Sequence, residues 1–208
     1  MKVYLMTAPT DDRWIEVKQR ALVTTPFDIM QKKVKPPTSE WKHKILEARH
    51  SPIRRLEYSF YFEGIPSWVS VHLCRHVHAQ PYVKSQRNDR QSDYDRNKAP
   101  QDSPVNMILD VNAEELMVIA NKRLCSQASK ETRDVVRQMC MLAEEHTPEL
   151  KGLLVPMCAY HGGVCHEMHS CNKYGLFWAK NAHGAQPKEM QHENDSERNE
   201  SETDNNNA

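Results

Sequence analysis

Leu56-Glu57-Tyr58-Ser59-Phe60-Tyr61-Phe62 alternates two kinds of side chain. A period of two puts Leu56, Tyr58, Phe60 and Phe62 on one side of a strand, and Glu57, Ser59 and Tyr61 on the other. The stretch therefore reads as a strand with one buried face. Gly64 ends it, and Pro66 suits a first helical turn, where its missing N–H costs nothing. Trp68, Val71 and Arg75 then share one helical face. Upstream, residues 1–6 are short and β-like, and Asp12 caps a helix to Leu22. Residues 24–37, broken by Pro26, Pro36 and Pro37, read as a loop. Thr38 or Ser39 caps a helix to about Ala48, with Trp41, Ile45 and Ala48 on one face. Downstream, Pro81 interrupts the helical pattern, residues 82–86 read as extended, and residues 88–104 form a long polar loop of the kind that is often functional. Asn112 caps a single long helix over residues 113–145, with Leu116, Ile119, Ala120, Leu124, Val135, Met139 and Leu142 as core candidates. Strand and helices without a βαβ rhythm predict an α+β fold, an antiparallel-sheet core flanked by helices with one long helix in the C-terminal half.

A chain of 208 residues suffices for one domain of ordinary size, roughly 150 residues. The reading is a single domain over residues 1–182, with a Cys/His-rich segment at 158–171 and a disordered acidic tail at 183–208. Net charge is zero, but from Ala185 onward seven acidic residues face two basic ones, which leaves the remainder at +5. A mildly basic body suits an anionic ligand. No apolar run approaches the roughly 20 residues needed to span a membrane. The first residues lack the apolar stretch of a signal peptide, so the expected location is the cytoplasm. There the six Cys are expected as thiols or metal ligands.

Three constellations carry chemistry. Arg75-His76-Val77, a seven-residue gap and Ser85-Gln86-Arg87 bring guanidiniums, an imidazole and a hydroxyl to one helix-to-extended junction. The planar fork of Arg matches phosphate oxygens. Arg123 and Arg133 on the expected long helix would lie about 15 Å apart along its axis, able to grip a long phosphorylated ligand at two points. Ser51-Pro52, after Arg49-His50, offers a hydroxyl just ahead of the apolar strand. Taken singly, each is more often a solvated surface feature. No Gly-x-Ser-x-Gly elbow, Rossmann fingerprint or P-loop is present.

Their order along the chain resembles the flavin-dependent thymidylate synthase (ThyX) family. That family carries Arg-His-Arg, a seven-residue gap and Ser, seen here as Arg75, His76, Val77 and Ser85, followed by Arg87. It has a Ser/Thr-Pro turn before a strand, as Ser51-Pro52 stands here. It also has Arg-Leu and then Ala-Gln-x-Glu-Ile-Arg, seen here as Arg123-Leu124 and Ala128-Ser129-Lys130-Glu131-Thr132-Arg133. The chain departs at Val77, at Tyr82-Val83 (usually Asn-Glu), at Ser129, at His72 (a Gln in the family) and at Arg54-Arg55 (commonly Glu-His). The resemblance implies a homotetramer that binds FAD and methylates dUMP at C5, with methylenetetrahydrofolate as carbon donor and NADPH as reductant. It implies flavin contacts at Arg75, His76, Arg123 and Ser51, and nucleotide contacts at Ser85, Arg87, Arg133 and His72. Arg133 would also be catalytic, polarising the pyrimidine. A related flavin-dependent C5 modification of another pyrimidine nucleotide stays open. So does a nucleic-acid-binding role for residues 75–98, which Asp89, Asp93 and Asp95 weaken.

Cys158, His161, Cys165, His166, His169 and Cys171 fall within fourteen residues around Gly162-Gly163. Thiolate and imidazole are the preferred ligands of zinc, although no Cys-x-x-Cys pair is present. The expectation is a structural zinc held by Cys158, Cys165, Cys171 and one His, taken as His161.

Overall fold

The computed structural model describes residues 1–30, 33–90 and 95–171, so the expected acidic tail at 183–208 lies outside them. In chain order the elements are β1 (Lys2–Thr7), α1 (Asp11–Leu22), α2 (Ser39–Glu47), a 3-10 turn (Ser51–Arg55), β2 (Glu57–Pro66), α3 (Ser67–Cys74), β3 (Gln80–Val83), β4 (Pro104–Asn112), α4 (Ala113–Arg123), α5 (Lys130–His146) and the single turn α6 (Met157–Tyr160). The strands form an antiparallel sheet in the order β1-β2-β4-β3. With its helices it is the expected α+β architecture.

The alternation quoted first decides which face is buried. Leu56, Phe60 and Phe62 are wholly buried and Tyr58 nearly so. Each such side chain contributes about 1.5–3 kcal/mol by leaving water. Val105, Met107, Leu109 and Val111 of β4 bury the same face, and α3, α4 and α5 pack on the sheet. The Tyr58 hydroxyl donates to Thr147 Oγ1 at 2.9 Å, so its polar tip is satisfied inside the core. Burial pushes that phenol upward and holds it protonated. On the other face, Tyr4, Tyr61, Ile108 and Tyr82 are paired in register across all four strands. Tyr4 and Tyr82 are exposed, and the other two are half-buried. Gly64 has φ +61° at the bulge between Phe62 and Ile65, a conformation that suits residues without Cβ.

Several sequence expectations change. The single helix over residues 113–145 is two helices. Leu124 caps the end of α4, and Ser129 starts α5 by accepting from the Thr132 N–H at 3.3 Å. A side chain that caps competes with helix continuation, which is why the break falls there. Arg123 and Arg133 therefore do not share one helix axis. β4 goes unread in the sequence although its apolar residues alternate; it runs directly into the Asn112 cap, whose Oδ1 accepts from the Glu115 N–H at 2.9 Å. Pro66 ends β2 rather than opening the first turn of α3. The buried face of α3 is Val69, Ser70 and Leu73, while Val71, on the expected face, is exposed. Pro81 lies within β3, an edge strand, where a missing donor is tolerated.

Candidate functional site

α3 ends where α4 also ends, and this convergence builds the site. Arg75 caps α3, and His76 follows as a buried side chain. Arg123, in the last turn of α4, donates from Nε to His76 Nε2 at 3.1 Å and from a terminal nitrogen to the His72 carbonyl at 2.8 Å. A guanidinium N–H can only donate, so His76 Nε2 must be the accepting nitrogen. Nδ1 then carries the proton and donates to Glu115 Oε1 at 3.0 Å. The relay Glu115, His76, Arg123 thus fixes the imidazole tautomer and holds the guanidinium in place. Glu115 is buried in the first turn of α4.

His72 carries the cluster on to α5, its Nδ1 lying 3.0 Å from the Thr132 hydroxyl, which also bonds Ser129 Oγ at 2.9 Å. Burial, then the charges of Arg123 and Arg75, hold the His72 imidazole below the usual histidine range. Burial, then the Arg75 charge, likewise pushes Arg123 down. Two guanidiniums that disfavour each other, neither forming an ion pair among the described residues, leave a concentration of positive charge suited to an anion.

The remaining candidates are distributed around this centre. Gln86 bonds Ser67 Oγ at 3.3 Å, which sets the segment carrying Ser85 and Arg87 beside the start of α3. Five residues of helix, about 8 Å, separate that start from His72. Ser85 Oγ accepts from the Arg87 N–H at 3.3 Å, and Arg87 forks onto Asp89 at 2.8 and 2.6 Å. Ser51 is exposed at the head of the 3-10 turn, next to Arg49, which has φ +50° and bonds Asn121 of α4. Arg133 turns back onto the α4–α5 loop and donates to the carbonyls of Ser126, at 3.0 Å, and Ala128. The structure thus gathers His72, Arg75, His76 and Arg123, and sets Ser85, Arg87, Ser51 and Arg133 on three separate margins. Glu115 and Thr132 complete the cluster without having been read from the sequence. Asn112 announced a helix start, but nothing in the local sequence says that Glu115, three residues on, is buried.

The Cys/His segment differs from expectation. Among the described residues no three His, Cys, Asp or Glu side chains stand close enough together to hold a metal ion as they are placed. Cys158, Cys165 and Cys171 nevertheless line one cavity of about 370 Å³, together with Cys125 from the α4–α5 loop and with Arg133. His161 does not line it; its ring stands edge-on to Tyr160 and His166, at 5.4 and 4.7 Å between centroids.

Residues 93–149, which include β4, α4 and α5, match the family model described as thymidylate synthase complementing protein. Thymidylate synthase X of Helicobacter pylori, crystallised with FAD and dUMP, is similar in fold at a TM-score of 0.59 and 16% identity, over 74% of this chain and 99% of that one. A second structure, flavin-dependent thymidylate synthase ThyX of the same organism complexed with FAD and dUMP, is similar at 0.55 and 17% identity, over 72% and 97%. The chain therefore shares the fold of the solved ThyX structures. No curated protein matches it. Within the ThyX frame its departures have local roles. Val77 is 85% exposed, Ser129 caps α5, His72 grips Thr132, Arg54 pairs with Glu114, and Arg55 pairs with Glu16.

Proposed function

We propose that this chain is a flavin-dependent thymidylate synthase that methylates dUMP at C5, with methylenetetrahydrofolate as carbon donor and NADPH as reductant. The observation that carries this reading is Arg123, held by His76 Nε2 and the His72 carbonyl with no ion-pair partner among the described residues, and near enough to Arg75 to feel its charge. That arrangement fits the anionic part of FAD, with His76 and Ser51 as further contacts. FAD, when bound, supplies the redox chemistry, and the protein supplies binding and orientation.

The chain's own residues then have distinct tasks. Glu115 and His76 hold Arg123, so that a binding cation costs little reorganisation when the flavin enters. Ser85 and Arg87 bind the nucleotide phosphate, with Arg87 exchanging Asp89 for it, and His72 shapes the pocket. Arg133 is the catalytic cation: released from the loop carbonyls, it stabilises negative charge developing on a pyrimidine oxygen. The row of Tyr4 and Tyr82, exposed, and Tyr61 and Ile108, half-buried, supplies a face for neighbouring copies in a homotetramer whose sites are completed between subunits. Among the described residues no helix is long and apolar enough to cross a membrane, and the cytoplasm is the proposed location.

A related pyrimidine nucleotide is the second reading, favoured by Val77 and Tyr82, exposed hydrophobic side chains within the signature segment. Nucleic acid is disfavoured, because Arg87 and Lys98 of the basic stretch are already paired with Asp89 and Asp95. A visible absorbance titration with FAD, followed by dUMP or UMP, tests the proposal. Saturable flavin binding, with a further spectral change on dUMP exceeding that on UMP, is expected; a chain that leaves the FAD spectrum unchanged overturns it.

A further inference from the structure

We propose that Cys125, Cys158, Cys165 and Cys171 together bind one thiophilic divalent cation of the zinc class, stapling the C-terminal described segment onto the α4–α5 loop. The four thiols come from two parts of the chain more than thirty residues apart, yet line the same cavity. Cys125 is the member the local Cys/His spacing does not reveal, and it takes the place expected of His161.

The backbone brings them there. Gly162 and Gly163, at φ +66° and +102°, reverse the chain, and the Gly163 N–H closes the turn on the Cys158 carbonyl at 2.7 Å. That reversal returns Cys165 to the cavity Cys158 already lines. Two weaker ties run in parallel. Gln127 Nε2 donates to the His169 carbonyl at 2.7 Å, and Lys122 lies 3.7 Å from Glu167.

The segment needs such a staple. From His161 to Cys171 no side chain is buried, and its large apolar members, Val164 and Met168, are exposed. A stretch without a core offsets little of its ordering entropy by apolar burial, and a metal is one remedy proteins use. Four thiolates around a divalent cation leave a net charge of −2; Lys130, Arg133 and Arg137 line the same cavity against Asp134 and Glu167, and so offset part of it. The thiols surround the cavity without closing on a centre. A cation at about 2.3 Å from each sulfur would draw them inward, releasing their protons without any redox step.

The staple also bears on Arg133, because Ser126 and Ala128, whose carbonyls hold it, directly follow Cys125 in the loop. The metal proposal stands independently of the flavin reading, and its test reads metal alone. Untagged, reduced full-length protein is titrated with Zn²⁺, and separately with Co²⁺. Expected are one equivalent bound per chain, the intense thiolate-to-cobalt absorption of a tetrahedral sulfur site, and four thiols protected from a thiol reagent. C125S should weaken binding by at least the roughly 10- to 100-fold seen for lesser changes around metal sites. C74S and H161A should retain it. No stoichiometric binding by the wild type, unchanged thiol reactivity with Zn²⁺, disulfides joining these cysteines in the purified protein, or loss of binding in H161A but not C125S would overturn the proposal. The wild-type titration and thiol protection decide the matter even if C125S does not fold.

Discussion

At the residue scale, the position of Arg123 depends on a buried carboxylate two links away. Removing Glu115 would leave the His76 Nδ1–H unpaired in the interior. Glu115→Ala is expected to lower stability by about 1–3 kcal/mol, the penalty for an orphaned buried donor, and to weaken FAD binding. Glu115→Gln keeps an accepting oxygen and should retain most of both. Chemical denaturation and flavin titration check the pair; equal loss in the two variants would show that charge matters more than the hydrogen bond. Arg133→Ala is expected to lower kcat by roughly 10²- to 10³-fold, as loss of one preorganised donor does, while FAD still binds. His72 sets a pH dependence. Its folded pKa lies below its unfolded value, so below that unfolded value the unfolded chain takes up the proton first. Its contribution is therefore fully present above the unfolded value, near pH 6.5, and is lost as pH falls through the folded pKa. His72→Gln, measured by denaturation across this range, should lose less stability on acidification than the wild type.

At the element scale, the break between α4 and α5 is the feature that organises the site, and Ser129 makes it. Ser129→Ala removes the cap of α5 and one partner of Thr132, so a loss of about 1 kcal/mol is expected, measured by thermal or chemical unfolding. The same residue explains what the sequence could reveal. The alternation from Leu56 to Phe62, the Thr38 and Asn112 caps and the core positions on both helices were legible, because each depends on spacing within a few residues. The break was not, because the apolar period continues from Leu116 to Met139 across it, and a capping Ser looks like any polar residue of an exposed helix face. β4 was missed for a related reason: its alternation sits between a polar loop and a strong helix signal, and drew no attention beside them. In the site, Arg75, His76 and Arg123 were legible through the order of the motifs. Glu115 and Thr132 were not, since their partners are 39 and 60 residues away in sequence and meet only when α3 packs beside α4 and α5.

At the scale of the whole molecule, the basic groups proposed to bind anions lie around α3 and on the adjoining loop, while Tyr4, Tyr61, Ile108 and Tyr82 cross the outer face of the sheet. If neighbouring copies cover that row, Tyr82→Glu should shift the protein to smaller species in sedimentation and weaken FAD binding along with assembly. A variant that stays assembled, or falls apart while still holding flavin, would separate the two. The central claim concerns the reaction itself, and its most direct test is conversion of dUMP to dTMP by the purified chain supplied with FAD, NADPH and methylenetetrahydrofolate. The account expects dTMP to form with release of tritium from C5-labelled dUMP, and both to be abolished in Arg123→Ala. Formation of no dTMP by a folded, flavin-loaded wild type would contradict it.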